Sequence, residues 1–277
     1  MGRPGYHRFW VSEHHGVPGV AGSAPTVLAA AEGFGAQPAE LLGYFTGTRT
    51  AHPQVHARPA EGLAVPAFVP ATGAGAEVAA RVGLALVIGD FRDPAKLLAA
   101  VDGYRAAFRP SALWPRPYVV ISGTVAVAGS QEAARHLLVP EARALAYART
   151  HGVFPPLRPA ADGAAAGDGM SARERGCCEE ALRGHVHGTE EQVAAALAEL
   201  IGASAADEVL VTTSSYDRAT LRESFERPAR VAGLPRRVTG RGRGRTGAGA
   251  GARPSRELTP DGQREPVPGG WAAVREP

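Results

Sequence analysis

Residues 71 to 75 combine glycines with a hydroxyl at a point where a phosphate could bind. The loop Ala71-Thr72-Gly73-Ala74-Gly75 follows an apolar run, Val65–Val69, and precedes an Ala-rich helical pattern. The free N–H groups and positive dipole end of a helix amino terminus can hold a phosphate, and Thr72 adds a hydroxyl donor. Glycine-rich strand-to-helix turns that bind nothing are equally typical of this pattern, so both interpretations stay open.

His14 and His15 form a second candidate for chemistry. They follow a short strand pattern, Phe9–Val11. A neutral imidazole titrates near neutral pH and can transfer a proton to or from a bound substrate. A structural histidine, hydrogen-bonded at the end of a strand, is the alternative interpretation.

Four further histidines and the two cysteines do not predict a metal site. The histidines lack the HExxH spacing or nearby carboxylates that a metal centre needs, and the two cysteines are adjacent, so they predict neither a disulfide framework nor a spaced metal site. The cysteines are instead expected as partly buried apolar residues on a helix. The residues concerned are His52, His56, His185, His187, Cys177 and Cys178.

Composition predicts a globular protein without membrane spans. Hydrophobic residues make up 44% of the 277 residues, enough for a core, and no run approaches the ~18 apolar residues of a membrane helix. The amino terminus lacks the apolar core of a signal peptide, so a cytoplasmic location is the expectation. The net charge is +3. Only one basic residue is a lysine, the others are arginines, and much of the positive charge lies near the carboxyl end. This distribution predicts neither a specific nucleic-acid partner nor a membrane partner.

Strand and helix patterns alternate along the chain, which predicts an α/β fold with parallel strands. The strand candidates number five. Four of the eight helical patterns start at a Ser or Thr residue that suits a helix amino terminus, with a capping box at Thr189 and Gln192. The strand candidates are Phe9–Val11, Val65–Val69, Leu84–Ile88, Tyr118–Val127 and Glu208–Thr213. The helical patterns cover residues 23–31, 38–45, 76–82, 93–108, 130–150, 171–182, 189–202 and 218–231.

The segment from 235 to 277 has a different composition. It is rich in Arg, Gly and Pro and low in large apolar residues. Such a segment cannot bury a core, so it is predicted to be a disordered tail after a domain that covers residues 1–234.

Several segments together resemble the bacterial luciferase-like flavin monooxygenases. Phe9 to His15, followed by Gly19 to Pro25, is similar to the family's "WVAEHH…ASSAP" segment, and the loop at residues 71–75 resembles its flavin-phosphate loop. Residues 116–127, 186–193 and 207–213 are similar to its seventh strand, its late "GTPEQV" helix start and its eighth strand. The chain order of these segments agrees with the family over residues 6 to 234.

The resemblance implies a (β/α)₈ barrel whose site lies at the carboxyl ends of the strands. It implies reduced FMN as cofactor, molecular oxygen and a small organic substrate, with a flavin reductase as a possible partner protein. His14 is then the catalytic candidate, and His15, Thr72, Gly73, Ala74 and Gly75 are the cofactor-binding candidates. No metal is implied.

Three strands of that barrel have no counterpart in the sequence. The five strand candidates correspond to the family's second, fifth, sixth, seventh and eighth strands, so an incomplete (β/α)₈ barrel is predicted. Open sheet edges favour association, and a homo-oligomer is expected. Two other functions stay open: a non-catalytic or oligomerising remnant of the family, and a Rossmann-like nucleotide binder that uses residues 71–75 with Asp90 after the next strand.

Overall fold

The computed structural model describes a parallel sheet with helices packed on it. It describes residues 6, 8–11, 36–48, 52, 54–56, 61–62, 65–71, 74–89, 91, 93–159, 169–234 and 270–275. Its strands are β1 (Arg8–Val11), β2 (Phe68–Pro70), β3 (Ala85–Gly89), β4 (Val119–Val127), β5 (Val186–Gly188), β6 (Glu208–Thr213) and β7 (Gly270–Arg275). The helices are α1 (Ala36–Thr46), α2 (Ala74–Arg81), α3 (Pro94–Ala107), α4 (Gln131–His151), α5 (Ala172–Leu182), α6 (Glu190–Ser204) and α7 (Arg218–Val231).

Six strands follow one another across the sheet in the order β1-β7-β6-β4-β3-β2, and β5 pairs with β4 beside this path. Every pairing is parallel. The predicted α/β fold with parallel strands is therefore confirmed. Within the described residues the sheet is open, with β1 and β2 as its end strands.

The βαβ unit predicted around residues 65–89 is present. Strands β2 and β3 are adjacent and parallel, and α2 connects them. Ala79 and Ala80 of α2 are fully buried, and their small side chains let the helix approach the sheet closely. The backbone N–H of Leu84 bonds to the carbonyl of Ala79 over 3.0 Å, which closes the turn into β3.

The two faces of the sheet have different surroundings, because side chains alternate along each strand. One face packs on the helices and forms the larger core; from β3, β4 and β6 it includes Leu86, Ile88, Val119, Ile121, Val125, Val209 and Val211. The opposite face, called here the open face, carries a smaller cluster of Val87, Val120 and Leu210 with Phe68 and Tyr118. Burying each such aliphatic side chain contributes about 1.5–3 kcal/mol, so the helix-facing side supplies most of the stability.

Local signals in the sequence placed the helix starts correctly. Thr189 and Gln192 form the predicted capping box at the start of α6. Ser130 caps α4 by accepting a hydrogen bond from the N–H of Ala133, over 3.1 Å. Each cap satisfies amides that otherwise have no partner in the helix.

Two strands were not expected from the sequence. Val186–Gly188, which resembled a helix start, forms β5 beside the carboxyl end of β4. Gly270–Arg275 forms β7, so the prediction of a disordered tail does not hold for these six residues. Pairing with β1 and β6 provides hydrogen-bond partners for the backbone N–H and C=O groups of this segment. These bonds do not depend on side-chain composition, so the composition could not predict the strand. Residues 235–269 and the helix predicted at residues 23–31 lie outside the described residues, and the domain boundary at 234 remains a prediction.

Among the helices described, none combines the length and apolar character required to span a lipid bilayer.

Candidate functional site

The carboxyl ends of the strands meet at one edge of the sheet, because all the strands run parallel. The turn between β2 and α2, the residues after β3 and the residues after β6 all leave the sheet at this edge. In open or closed parallel sheets, ligands bind at this edge. The residues with chemical potential are therefore considered by their position relative to it.

The β2–α2 turn joins the sheet to the amino end of α2. The N–H of Ala71 bonds to the carbonyl of Val87 over 2.9 Å, so the turn leaves the sheet directly after β2. Ala74 starts α2, and Gly75 lies in its first turn. A Cβ on Gly75 would lie 2.8 Å from the Cβ of Ala71, so the glycine allows the turn to fold back on the helix. Thr72 and Gly73 lie outside the described residues.

Charges on α2 are arranged along its dipole. Glu77 lies in the first turn and Arg81 in the last turn, and their side chains approach to 3.9 Å. Both side chains are more than half exposed, so this pair contributes little to stability. The carboxylate at the amino end opposes a bound anion, so a phosphate there would depend on backbone N–H groups rather than on a positive side chain.

The two candidate histidines lie outside the described residues. Their strand, β1, ends at Val11, three residues before His14 and four before His15. Because β1 runs parallel to the other strands, the chain leaves it at the same edge as the β2–α2 turn. Their roles remain predictions.

Hydroxyl groups on the open face were missed by the sequence reasoning. The hydroxyls of Thr124 in β4 and Thr212 in β6 lie 3.0 Å apart, and the two residues are register partners. Ser122 lies on the same face by alternation and is half-buried. A signal was present in the sequence, because strands buried on both faces of a parallel sheet are normally apolar throughout, whereas β4 and β6 carry hydroxyl residues in their carboxyl halves.

The amino end of the open face is closed by aromatic rings. The ring centroids of Phe68 and Trp114 are 5.3 Å apart, and those of Trp114 and Tyr118 are 4.8 Å apart. The Tyr118 hydroxyl donates to Oε2 of Glu208 over 2.9 Å, and Glu208 is fully buried. The open face is thus aromatic and apolar at one end and hydroxyl-bearing at the other, which suits a planar ligand with polar edges.

The cysteines lie in a helical hairpin rather than in a reactive site. Helices α4 and α5 pack together through a cluster that includes Cys178 and Ala126, the latter near the carboxyl end of β4. Burial raises the pKa of the Cys178 thiol, so it stays protonated at neutral pH. The expectation of an apolar role for this cysteine agrees with its burial.

The other histidines do not converge. His187 lies in β5 with Nδ1 3.1 Å from the carbonyl of His185, and His56 lies 3.0 Å from Oε2 of Glu61. Across the described part of the chain, no group of three or more His, Cys, Asp or Glu residues could hold a metal ion.

A family model described as "Luciferase-like monooxygenase" matches residues 40–207. The matched span contains the β2–α2 turn, β3, β4 and β5, while His14 and His15 lie before it. The resemblance drawn from the sequence is therefore confirmed for the central part of the chain.

Curated relatives align with most of the chain. An uncharacterized protein, YvbT of Bacillus subtilis, is 26% identical over 289 aligned positions, covering 80% of this chain and 85% of the relative. A luciferase-like monooxygenase of Escherichia coli strain K12 is 23% identical over 291 positions, with the same coverage. Both alignments are longer than the 277 residues of the chain, so they include positions at which the relatives have residues with no counterpart here.

A solved structure shares the fold. The crystal structure of apo-MsnO8 superposes with a TM-score of 0.63 at 23% identity, over 75% of this chain and 62% of that one. The chain thus spans less than two thirds of that structure. Together with the parallel sheet, this likeness confirms the predicted α/β fold of barrel type, and within the described residues the sheet does not close.

Proposed function

Because the chain belongs to the luciferase-like monooxygenase family, we propose that it is a flavin-dependent oxidoreductase that binds FMN at the carboxyl edge of its sheet. The proposed reaction uses reduced flavin and molecular oxygen on a small organic substrate. The observation that carries the proposal is the β2–α2 turn, which presents a helix amino terminus at the edge where parallel sheets bind ligands.

The described part of the turn fits a phosphate group. Gly75 lies against the methyl group of Ala71, so no side chain projects from this position of the first turn of α2. We propose that the N–H groups of Gly73, Ala74 and Gly75 and the hydroxyl of Thr72 hold the flavin phosphate. The interaction of the phosphate charge with these N–H groups and the helix dipole would contribute about 0.3–1 kcal/mol to binding at an exposed site.

The carboxyl half of the open face is the proposed place for an isoalloxazine ring. Val87, Val120 and Leu210 form an apolar layer that is itself buried, and the part-buried hydroxyls of Thr124 and Thr212 supply polar groups beside it. A ring site needs a concave wall that buries most of the ligand. The described sheet ends at β1 and β2, and we propose that the family's third and fourth strands, which belong between them, are absent here. We therefore expect weak FMN binding.

We propose that His14 is the residue that transfers a proton. When bound, the reduced flavin supplies the oxygen chemistry. His14 comes three residues after the end of β1 in the sequence, and its neutral imidazole is proposed to exchange a proton with a reacting group, while His15 is proposed to contact the cofactor.

The proposed location is the cytoplasm, as expected from the sequence, where Cys177 and Cys178 would stay reduced. A flavin reductase as electron source and a homo-oligomeric state complete the proposal.

Fluorescence titration of FMN tests the proposed cofactor. We expect a dissociation constant in the micromolar range or weaker, about −8 kcal/mol or less favourable. The variant Gly73→Asp should abolish the remaining binding, since it places a negative charge beside the phosphate. The matched control is Gly103→Asp, which adds the same charge at an exposed position of α3 with open space around it.

The outcomes separate the candidate functions. Stoichiometric FMN in the protein as isolated would show that the open sheet is structurally compensated and would contradict the expected weak binding. Binding of NAD or ADP in preference to FMN would favour the Rossmann-like nucleotide binder. A folded protein that binds neither ligand would be a non-catalytic member of the family.

A further inference from the structure

The position of β7 in the sheet is unexpected for a strand from the carboxyl end of the chain. β7 lies between β1 and β6 and pairs with both in parallel register. Residues Ala272 to Arg275 pair with Arg8 to Val11 on one side and with Leu210 to Thr213 on the other. The six-residue segment therefore joins the first described strand of the chain to the core of the sheet.

The strand order assigns a place in the barrel to this segment. By their sequence motifs, β1 corresponds to the family's second strand and β6 to its eighth. In a closed barrel of eight parallel strands in chain order, the first strand stands between the eighth and the second. Among the described residues, this position between β6 and β1 is taken by β7.

We propose that the space between β1 and β6 is a strand-acceptor site, and that Gly270–Arg275 of the same chain fills it in the position that the first strand takes in a closed barrel. The described strands then have a permuted order, in which a strand from after α7 stands beside β1. Strand addition of this kind draws its affinity from main-chain hydrogen bonds, so it does not need the sequence of an ordinary first strand.

The remainder of the sheet agrees with this assignment. With β7 in the first position, the described strands correspond to positions two, one, eight, seven, six and five in spatial order. The end strands β1 and β2 are then the neighbours of the third and fourth positions, which no strand of the described residues occupies. Within the described part of the chain a single gap is left in the barrel, rather than two.

Hydrogen exchange on the full-length protein tests the proposal. Amides of residues 271–275 should be protected, and Ala272→Pro and Ala273→Pro should remove protection from β7 and speed exchange in β1 or β6 about tenfold or more, while β2 and β3 change little. Two adjacent positions are used because neighbouring residues of a strand direct their N–H groups to opposite sides. The control is Ala250→Pro, an alanine of the segment between α7 and β7.

The result that overturns the proposal is equally definite. Exchange of residues 271–275 at the rate of an unstructured peptide, or no effect of either proline in β1 and β6, would show that the segment does not fill the site. Protection that disappears on dilution would show that a second copy supplies the strand, which contradicts pairing within one chain. No readout involves flavin, so failure to bind FMN leaves this test unaffected.

Discussion

At the turn between β2 and α2, the absence of a side chain at Gly75 decides how closely the chain can fold. The Ala71 methyl group occupies the space into which a Cβ would project, at 2.8 Å. This contact involves the short side chain of a turn residue, which cannot swing away as the end of a long side chain can. The glycine therefore has a structural role that is independent of any phosphate.

We expect Gly75→Ala to destabilise the protein, although alanine normally favours a helix. The clash with Ala71 should outweigh the gain in helix propensity and cost about 1–3 kcal/mol. Gly103→Ala is the matched comparison, because Gly103 is an exposed residue of α3 with no atom within 4 Å of the added Cβ, and it should stabilise by about 0.5–1 kcal/mol. Urea unfolding of both variants measures the difference, and equal stabilisation by the two would contradict the contact.

At the scale of the elements, the packing of Phe91 on the helix-facing side of the sheet requires a glycine in strand β4. The ring of Phe91 lies directly over Gly123, and a Cβ at that position would overlap the ring carbons Cδ2, Cε2 and Cζ. Phe91 follows β3 and is largely buried in the main core. The glycine in the middle of β4 thus makes room for the residue that closes the end of β3.

Gly123→Ala should destabilise the fold by about 1–3 kcal/mol, because the Phe91 ring must move. In a Phe91→Ala background, which itself should cost about 3–5 kcal/mol, the same change should cost much less. A double-mutant cycle measured by denaturant unfolding gives the coupling. Additive effects of the two substitutions would show that the ring does not press on β4, and Gly129→Ala in an open, exposed turn is the control.

The amino end of α7 depends on an ionised side chain. Asp217 accepts a hydrogen bond from the N–H of Thr220 over 2.7 Å, and this bond lowers the pKa of the carboxyl group. A lowered folded-state pKa means that the folded protein binds fewer protons than the unfolded chain. The cap therefore stabilises above the unfolded value of about 3.9, and this contribution is lost as the pH falls through the lower folded value.

The wild type should be more stable than the Asp217→Asn variant at neutral pH, and this difference in the free energy of unfolding should shrink as the pH falls below about 4. Asparagine also caps helices well but does not titrate, so the variant keeps α7 while losing the pH dependence. Thermal melts from pH 7 to pH 3 measure this difference. Asp102→Asn, which removes an exposed carboxylate from the body of α3, is the control, and a difference that is constant over this range would rule out the ionised cap.

At the scale of the whole molecule, the described sheet has two end strands, β1 and β2, where a closed barrel has none. Unpaired strand edges template association with other chains. The Tyr6 hydroxyl donates to the carbonyl of Phe225 over 2.6 Å, which holds the chain before β1 against α7. This contact steadies one end of the sheet but leaves the edge itself available for pairing.

We expect the protein to associate, because the end strands of the sheet, as far as the described residues go, have no strand partner on their outer sides and could pair with a second copy. Light scattering over a range of concentrations should show a mass above that of the 28.6 kDa chain. A charge placed near the β2 edge should weaken this association. Val69→Lys would damage the core because Val69 is buried, so the exposed residue Pro66, just before β2, is the better site for the charge. A monomer with a cooperative melt at all concentrations would contradict the expectation.

Local patterns in the sequence determined much of the fold. The βαβ unit, the helix starts at Ser130 and Thr189 and the strands at β3, β4 and β6 follow from apolar periodicity and capping residues close together in the chain. The family resemblance also rested on short motifs in a fixed order. Such signals are readable because each depends on residues within one or two turns of helix or along one strand.

Contacts between distant segments were decided only by the tertiary structure. The Thr124–Thr212 hydroxyl pair joins residues 88 positions apart, and β7 enters the sheet from a segment whose composition suggested no order. Neither could be predicted locally, because parallel strand pairing is selected by the backbone partners that the rest of the fold offers. The sequence alone therefore determined most of the elements and the family to which the chain is related, whereas the tertiary structure decided that β5 and β7 form, which strand takes the first barrel position and which hydroxyls meet at the candidate site.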